Sequence, residues 1–218
     1  MLLSLSRLVI IGALIFLTAG RINYWQGWLY IIVHLLMFAV SIPLFAGKAE
    51  LINERLNPGG PAKKWDIPLV GIMLFNVFAV IIIAALDSGR FHWTKNLPAA
   101  SYISGWILYA AGVVFSVWAM YINRFFSSIV RIQTDRGHTV IKEGPYKIVR
   151  HPGYLGMIVL TAGLPLCMGS YYAFIPSAII IIVTIIRTNL EDKTLGNELE
   201  GYVDYSKTTR YKIIPGIW

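Results

Sequence analysis

The stretch GPYKIVRHPGYLG, residues 144–156, joins a basic loop to an apolar segment. Pro152 can occupy the first turn of a helix, where its missing N–H is no loss, so a helix is predicted to begin there with His151 near its N-cap. The exposed N–H groups of such a helix end can receive a polar or anionic ligand. On its residues alone, the stretch is more typical of a rigid turn that leads into a membrane-spanning helix.

The composition around this stretch is that of an integral membrane protein. Of the 218 residues, 56% are hydrophobic and only 14% are charged, whereas soluble domains carry about 25% charged residues. The single cysteine, Cys167, excludes an internal disulfide and a paired-thiolate metal site, and no metal site is predicted. The net charge of +8 is better explained by basic loops on one side of a membrane than by binding of nucleic acid.

The apolar runs predict an all-α membrane protein with five to six transmembrane helices, forming one domain over residues 1–218. We expect the first run to be a retained span, because no convincing cleavage site follows it. The last two runs are short and are separated by Gly169 and Ser170, which predicts a C-terminal helical hairpin of one or two full crossings. The predicted segments are 5–20, 25–46, 67–86, 101–123, 153–169 and 171–187.

The distribution of charge predicts an orientation and a location for the chemistry. With six segments, every Lys and Arg except Arg21, Arg90 and Lys95 falls on one side, which the positive-inside rule assigns to the cytoplasm together with both termini. Apart from tyrosines, His34 is the one titratable residue well inside a span, and we expect it to be a hydrogen-bonded packing residue. A pump or ion-coupled carrier usually needs a charged group at that depth, so the chemistry is expected at the cytoplasmic edge.

Two cytoplasmic regions are candidates for that chemistry. The 124–152 loop is longer than most connections without a function. In the tail, Arg187 and Glu191 are four residues apart and share a face if the last helix continues past the membrane, although a surface ion pair would have the same spacing. Leu195, Leu199 and Tyr202 are spaced for one face of the same continuing helix.

The order of three sequence blocks resembles the isoprenylcysteine carboxyl methyltransferase family. These are GPYKIVRHPGYLG, then RTNLEDKTL at 187–195, then GYVDYSKTTRYKIIPGIW at 201–218. The resemblance covers roughly residues 125–218, whereas residues 1–123 look like generic membrane helices. It implies an S-adenosylmethionine-dependent methyltransferase, with residues 124–218 as a catalytic region that contains a cofactor loop, the helical hairpin and a cytoplasmic tail.

The resemblance also implies roles for individual residues. Arg187 would bind the carboxylate of a lipophilic, prenylcysteine-like substrate, and Arg187 and Glu191 would be the catalytic residues. The block NLED departs from the longer acidic run of eukaryotic members, which leaves the role of Asp192 open. The implied contacts to S-adenosylmethionine are Gln133, His138, Thr139, Val140, Ile141, Tyr146, His151, Pro152, Gly153, Tyr154 and Glu191.

Other functions remain open on the sequence. A carboxylate is ionised at neutral pH and needs no general base, whereas a phospholipid or other amine N-methyltransferase would need one, and Arg187 would be badly placed beside a cationic amine. An NADPH-dependent membrane reductase and a non-enzymatic scaffold that binds anionic lipid are further alternatives. The expected partners are the lipophilic carboxylate and membrane lipids, not nucleic acid, while the oligomeric state and the natural acceptor stay undetermined.

Overall fold

The computed structural model describes residues 2–218, with side chains from residue 6 onward, and within that range it contains helices and no β-strand. The helices are α1 (Leu2–Ala19), α2 (Trp25–Leu44), α3 (Ala49–Leu56), α4 (Asp66–Ala84), α5 (Ala99–Ile122), α6 (Pro152–Met168), α7 (Phe174–Glu198) and α8 (Tyr202–Thr208). A π-helix, Ala85–Phe91, continues α4, and two short 3₁₀ helices, Thr134–Arg136 and Gly144–Lys147, lie in the loop before α6. The all-α prediction is confirmed.

The lengths of the helices fit a multi-pass membrane protein. Among residues 6–218, four helical segments are long and apolar enough to span a bilayer: α2, α4 with its π-helical continuation, α5 and α7. Ser6–Ala19 of α1 and the whole of α6 are shorter apolar helices. With 17 residues, α6 is about 26 Å long, slightly less than the hydrocarbon core of a typical bilayer. It forms the predicted hairpin with α7.

One predicted extension of a helix was wrong. The last predicted segment, 171–187, corresponds to α7, which begins at Phe174 and continues beyond Arg187 to Glu198, as expected for a helix that extends past the membrane. That helix does not extend to Tyr202, since Leu199 is extended and Gly201 has a φ of 77°. Leu195, Leu199 and Tyr202 nevertheless pack in one apolar cluster, because the chain turns back at this point and begins α8.

Glycines bring the backbones of α5 and α6 into direct contact. A Cβ atom on Gly112 would lie 2.4 Å from the backbone nitrogen of Leu160, and one on Gly163 would lie 2.6 Å from the carbonyl oxygen of Gly105. Gly105 and Gly112, like Gly156 and Gly163, are seven residues apart, two turns of a helix. The close approach fixes the start of α6, and therefore the stretch quoted above, relative to α5.

Polar side chains form specific contacts between helices inside the bundle. The ring nitrogens of His34 hydrogen-bond the carbonyl of Tyr30 at 2.8 Å and the hydroxyl of Tyr109 at 3.0 Å, so His34 is the packing residue that was expected. The π-helical continuation adds Asp87, a fully buried carboxylate that accepts hydrogen bonds from Thr94 and Ser170. Asp87 thereby ties α4 to the turn between α6 and α7, at the end of the bundle opposite the long loop.

Candidate active site

A cavity of about 690 Å³ opens at the end of the bundle that carries the 124–151 loop. Its wall is built by α3 to α7, by this loop and by the segment that begins α8. Every residue implied as a cofactor contact lies on this wall, and so does Arg187. The fold thus brings together residues from three separate sequence blocks, while their individual roles remain predictions.

The deeper part of the cavity is apolar. It extends from the polar loop end between α4, α5, α6 and α7, and its wall there consists mostly of aliphatic side chains and methionines. These residues are Val70, Met73, Leu74 and Val77 of α4, Val117 and Met120 of α5, Met157 and Leu160 of α6, and Ile180 of α7. The cavity therefore has a polar part and an apolar part, which suits an amphipathic ligand.

Gln133 and His138 hold the loop in its conformation. The side-chain nitrogen of Gln133 donates to the carbonyl of Phe125 at 2.7 Å, and its side-chain oxygen accepts from Arg136. The backbone N–H of Gln133 donates to Nδ1 of His138 at 3.2 Å. Gln133 is only 1% exposed. Its side-chain amide is hydrogen-bonded within the loop, and little of its surface is accessible to a ligand.

The stability of the protein is expected to depend on pH through His138 in this loop. Burial lowers the pKa of His138 to about 4, helped by the nearby positive charge of Arg131 and Arg136. Between pH 4 and the ordinary pKa of about 6.5, His138 binds a proton in the unfolded chain but not in the folded one. Its contribution to the free energy of unfolding should therefore be fully present above pH 6.5 and be lost as the pH falls towards 4. Thermal unfolding in detergent between pH 4 and 7.5 should show this slope.

The matched variant for this prediction is His138→Gln, which keeps an acceptor near the N–H of Gln133 but cannot be protonated in this range. Its unfolding midpoint should change less between pH 4 and 6.5 than that of the unmodified protein. An identical pH dependence in both proteins would contradict the assignment.

The C-terminal tail supports the start of α6. The backbone N–H groups of Arg150 and His151 donate to the carbonyls of Tyr211 and Lys212, each at 2.9 Å. The hydroxyl of Tyr205 donates to the carbonyl of Tyr146 at 2.7 Å. Tail and loop therefore form one unit, with the ring of Tyr146 buried and facing the cavity.

Asp192 lies behind the cavity wall. Its carboxylate accepts from Nε and Nη2 of Arg150 at 2.8 and 3.0 Å, from Nε2 of His151 at 3.0 Å, and from the hydroxyl of Tyr202 at 2.7 Å. Arg150, His151 and Tyr202 line the cavity, but Asp192 does not. Asp192 therefore orients residues that face the cavity, and does not duplicate Glu191.

Arg187 forms a buried ion pair that the sequence did not predict. Its Nε and Nη2 atoms donate to the two oxygens of Asp66 at 2.6 and 3.0 Å, and Nη2 also donates to the carbonyl of Ser128 at 3.1 Å. Asp66 is fully buried and accepts a further bond from the N–H of Val130. Both hydrogens of Nη2 are thus used, whereas Nη1 has no hydrogen-bond partner among the described residues. A paired grip on a substrate carboxylate through the Nε–Nη2 edge is not available.

Glu191 faces the cavity one helical turn after Arg187 and accepts a short hydrogen bond from the hydroxyl of Tyr154. Within residues 6–218, no cationic side chain lies at ion-pair distance from Glu191. The ring of Tyr154 lies against His151 and under the guanidinium of Arg187, 5.5 Å from its centroid. The surface ion pair considered for Arg187 and Glu191 is therefore wrong, since each has another partner.

Sequence reasoning missed some residues of the site because they lie far away in the chain. Asp66 is 121 positions from Arg187, in a part of the sequence that looked like generic membrane helices. Arg55, on α3, also lines the cavity. Tyr202 also lines the cavity, but the sequence predicted it only as part of an apolar helical face. A carboxylate at the very start of an apolar helix was the one available signal for Asp66.

Comparison with known proteins finds a family model and two relatives that match this part of the chain. Residues 105–197 match the model of the isoprenylcysteine carboxyl methyltransferase family, which begins earlier than the resemblance noted above and excludes most of the tail. Protein-S-isoprenylcysteine O-methyltransferases B and A of Arabidopsis thaliana are 25% and 21% identical to this chain over 89 residues. The alignments cover 41% of this chain and 42% of each relative. The matched residues, 105–197, include most of α5, the loop, α6 and nearly all of α7, and in this part the chain is similar to the isoprenylcysteine carboxyl methyltransferase family.

Proposed function

We propose that this protein transfers a methyl group from S-adenosylmethionine to the carboxylate of a lipophilic, prenylcysteine-like substrate. The observation that carries the proposal is the cavity, which joins the residues of the family motif to an apolar part between the membrane helices. A substrate with a lipid tail can place that tail among Met73, Val77 and Leu160 while its head stays at the polar end. The names of the two plant relatives point to the same class of substrate.

The polar end of the cavity fits S-adenosylmethionine, which supplies a methyl group already activated on a sulfonium centre. Glu191 offers a carboxylate without a cationic partner to a positively charged ligand. Tyr146 offers aromatic surface to an adenine ring, and the stacked rings of His151 and Tyr154 border the same end of the cavity. Thr139 and the backbone around Gly153 border the same space.

The residues of the chain contribute orientation and the exclusion of water. An ionised carboxylate is already a nucleophile, so the site needs donors that place it and walls that keep water out. Positioning of this kind can account for about 7–11 kcal/mol of a reaction barrier in favourable cases. Nη1 of Arg187 can donate to the acceptor carboxylate, while Asp66 holds the guanidinium and balances its charge, so the acceptor oxygen is not over-stabilised.

We further propose that the cavity opens to the cytoplasm and that both termini lie on that side, because the basic residues of the loops are on this end of the bundle. Residues 1–218 act as one membrane domain. Residues 1–123 supply most of the apolar wall of the cavity, and residues 124–218 supply most of the catalytic region.

The proposed function is tested with the purified protein in detergent. Calorimetry should show binding of S-adenosylmethionine and of its demethylated product. Transfer of a labelled methyl group to N-acetyl-S-farnesylcysteine should exceed transfer to phosphatidylethanolamine. The absence of affinity for both the donor and its product would contradict a methyltransferase, and preferential labelling of the phospholipid would support the amine N-methyltransferase instead.

A further inference from the structure

Four arginines line the cavity, and three of them have a carboxylate partner. Arg131 pairs with Glu54 at 2.8 Å, Arg150 with Asp192 at 2.8 Å and Arg187 with Asp66 at 2.6 Å. The fourth is Arg55. Within the side chains of residues 6–218, it makes neither an ion pair nor a hydrogen bond, although Glu54 is its neighbour in sequence.

Arg55 is held in place by packing. Its guanidinium lies over the ring of Phe126, 5.0 Å from the centroid, and the same ring contacts Gly153 at the start of α6, where a Cβ atom would come within 2.6 Å of it. Arg55 is partly buried, so it has lost part of its hydration without gaining a counter-charge. Burial and the charge of Arg187 both lower the pKa of Arg55, but a guanidinium stays charged in proteins.

This inference rests on the proposed function for the identity of the ligand. We propose that Arg55 binds the carboxylate of the lipophilic acceptor and supplies the uncompensated positive charge of the acceptor site. Arg187 then contributes a hydrogen-bond donor whose charge is already balanced by Asp66. The assignment adds a substrate-binding residue on α3, outside the part of the chain that matches the family model.

The position of Arg55 favours the acceptor over the carboxylate of the methyl donor. The charges of Arg55 and Arg187 are close enough to repel each other. Arg187 in turn pairs with Asp66, the first residue of α4. Val70 and Val77, further along α4, belong to the apolar part of the cavity, about 6 and 16 Å along the helix from Asp66. A head group at Arg55 therefore places a lipid tail directly along this wall.

The test compares two ligands that differ in one charge, N-acetyl-S-farnesylcysteine and its methyl ester, by calorimetry in detergent. Arg55→Gln should weaken binding of the acid by about 10–100-fold, as expected for loss of a hydrogen bond to a charged group, and should change binding of the ester by less than about threefold. Affinity for the demethylated donor should stay within about threefold. In turnover, the KM for the acid should rise more than kcat falls.

The matched control is Arg124→Gln. Arg124 also lies over a phenylalanine, with its guanidinium 4.6 Å from the ring centroid of Phe125, but it does not line the cavity. It should leave both affinities unchanged. Arg55→Lys should keep part of the preference for the acid, because it retains the charge without the planar donors.

The outcomes separate this inference from the proposed function. A protein that distinguishes acid from ester through Arg55 but transfers no methyl group would support the role of Arg55 and contradict the methyltransferase. If the unmodified protein transferred the methyl group but Arg55→Gln left the ratio of acid to ester affinity unchanged, the role of Arg55 would be overturned and the proposed function would stand. A loss of donor affinity with retained acid affinity would overturn it as well, as would an absence of binding of both ligands.

Discussion

Arg187→Met is expected to abolish methyl transfer and to lower the free energy of unfolding by about 3–5 kcal/mol. The physical reason is that Arg187 and Asp66 are buried side by side, with side chains 7% and 0% exposed. Removal of the guanidinium leaves a carboxylate in the interior whose one remaining partner among the described residues is the N–H of Val130. Thermal unfolding and methyl transfer are measured on the same preparation.

A second variant separates stability from chemistry. Asp66→Asn combined with Arg187→Met removes both charges and keeps an oxygen that can accept from Val130. Since loss of a whole buried ion pair is often close to neutral, the double variant should recover most of the stability lost in Arg187→Met. It should still bind the methyl donor, because Glu191 and the loop are intact, and it should not turn over.

The two readouts can contradict this interpretation independently. If the double variant regained turnover with stability, Arg187 would be a structural residue without a part in the reaction. If Arg187→Met alone unfolded at the same temperature as the unmodified protein, the ion pair with Asp66 would not be a stabilising element of the site.

Glu191→Gln is expected to weaken binding of S-adenosylmethionine by about 10–100-fold, because a hydrogen bond to a charged partner contributes about 1.5–3 kcal/mol. The fold should be unaffected, since the amide can still accept from the hydroxyl of Tyr154. Calorimetry with the donor and with its neutral-sulfur product measures the effect. A larger loss for the sulfonium form would indicate that Glu191 interacts with the charge on sulfur, and equal losses would indicate the amino group or ribose.

The matched control is Glu198→Gln on the same helix. Glu198 forms a surface ion pair with Lys63, its side chain is 44% exposed, and it is not part of the cavity wall. Exposed pairs of this kind contribute little, so both binding and unfolding should stay close to those of the unmodified protein. Equal effects of the two substitutions on donor binding would remove Glu191 from the proposed site.

Local sequence signals predicted the parts of the molecule that depend on local physics. The apolar runs predicted a helical membrane protein, because a backbone in lipid must satisfy its own hydrogen bonds. Pro152 predicted the start of α6, and the spacing of Arg187 and Glu191 placed them on one helical face. The break at Leu199–Gly201 was missed, because an apolar spacing typical of a helix continues across it and only the glycine at positive φ marks the turn.

The sequence alone determined the class of fold, a resemblance of its C-terminal part to one family and a set of residues that the structure brings to one cavity. Tertiary structure alone decided how the charges in that cavity are balanced. Asp66 pairs with Arg187, Asp192 with Arg150 and His151, and Arg55 with no carboxylate among the described side chains. Ion pairs between distant helices depend on which helix faces meet, and neither periodicity nor spacing in one segment records which carboxylate a buried arginine will reach.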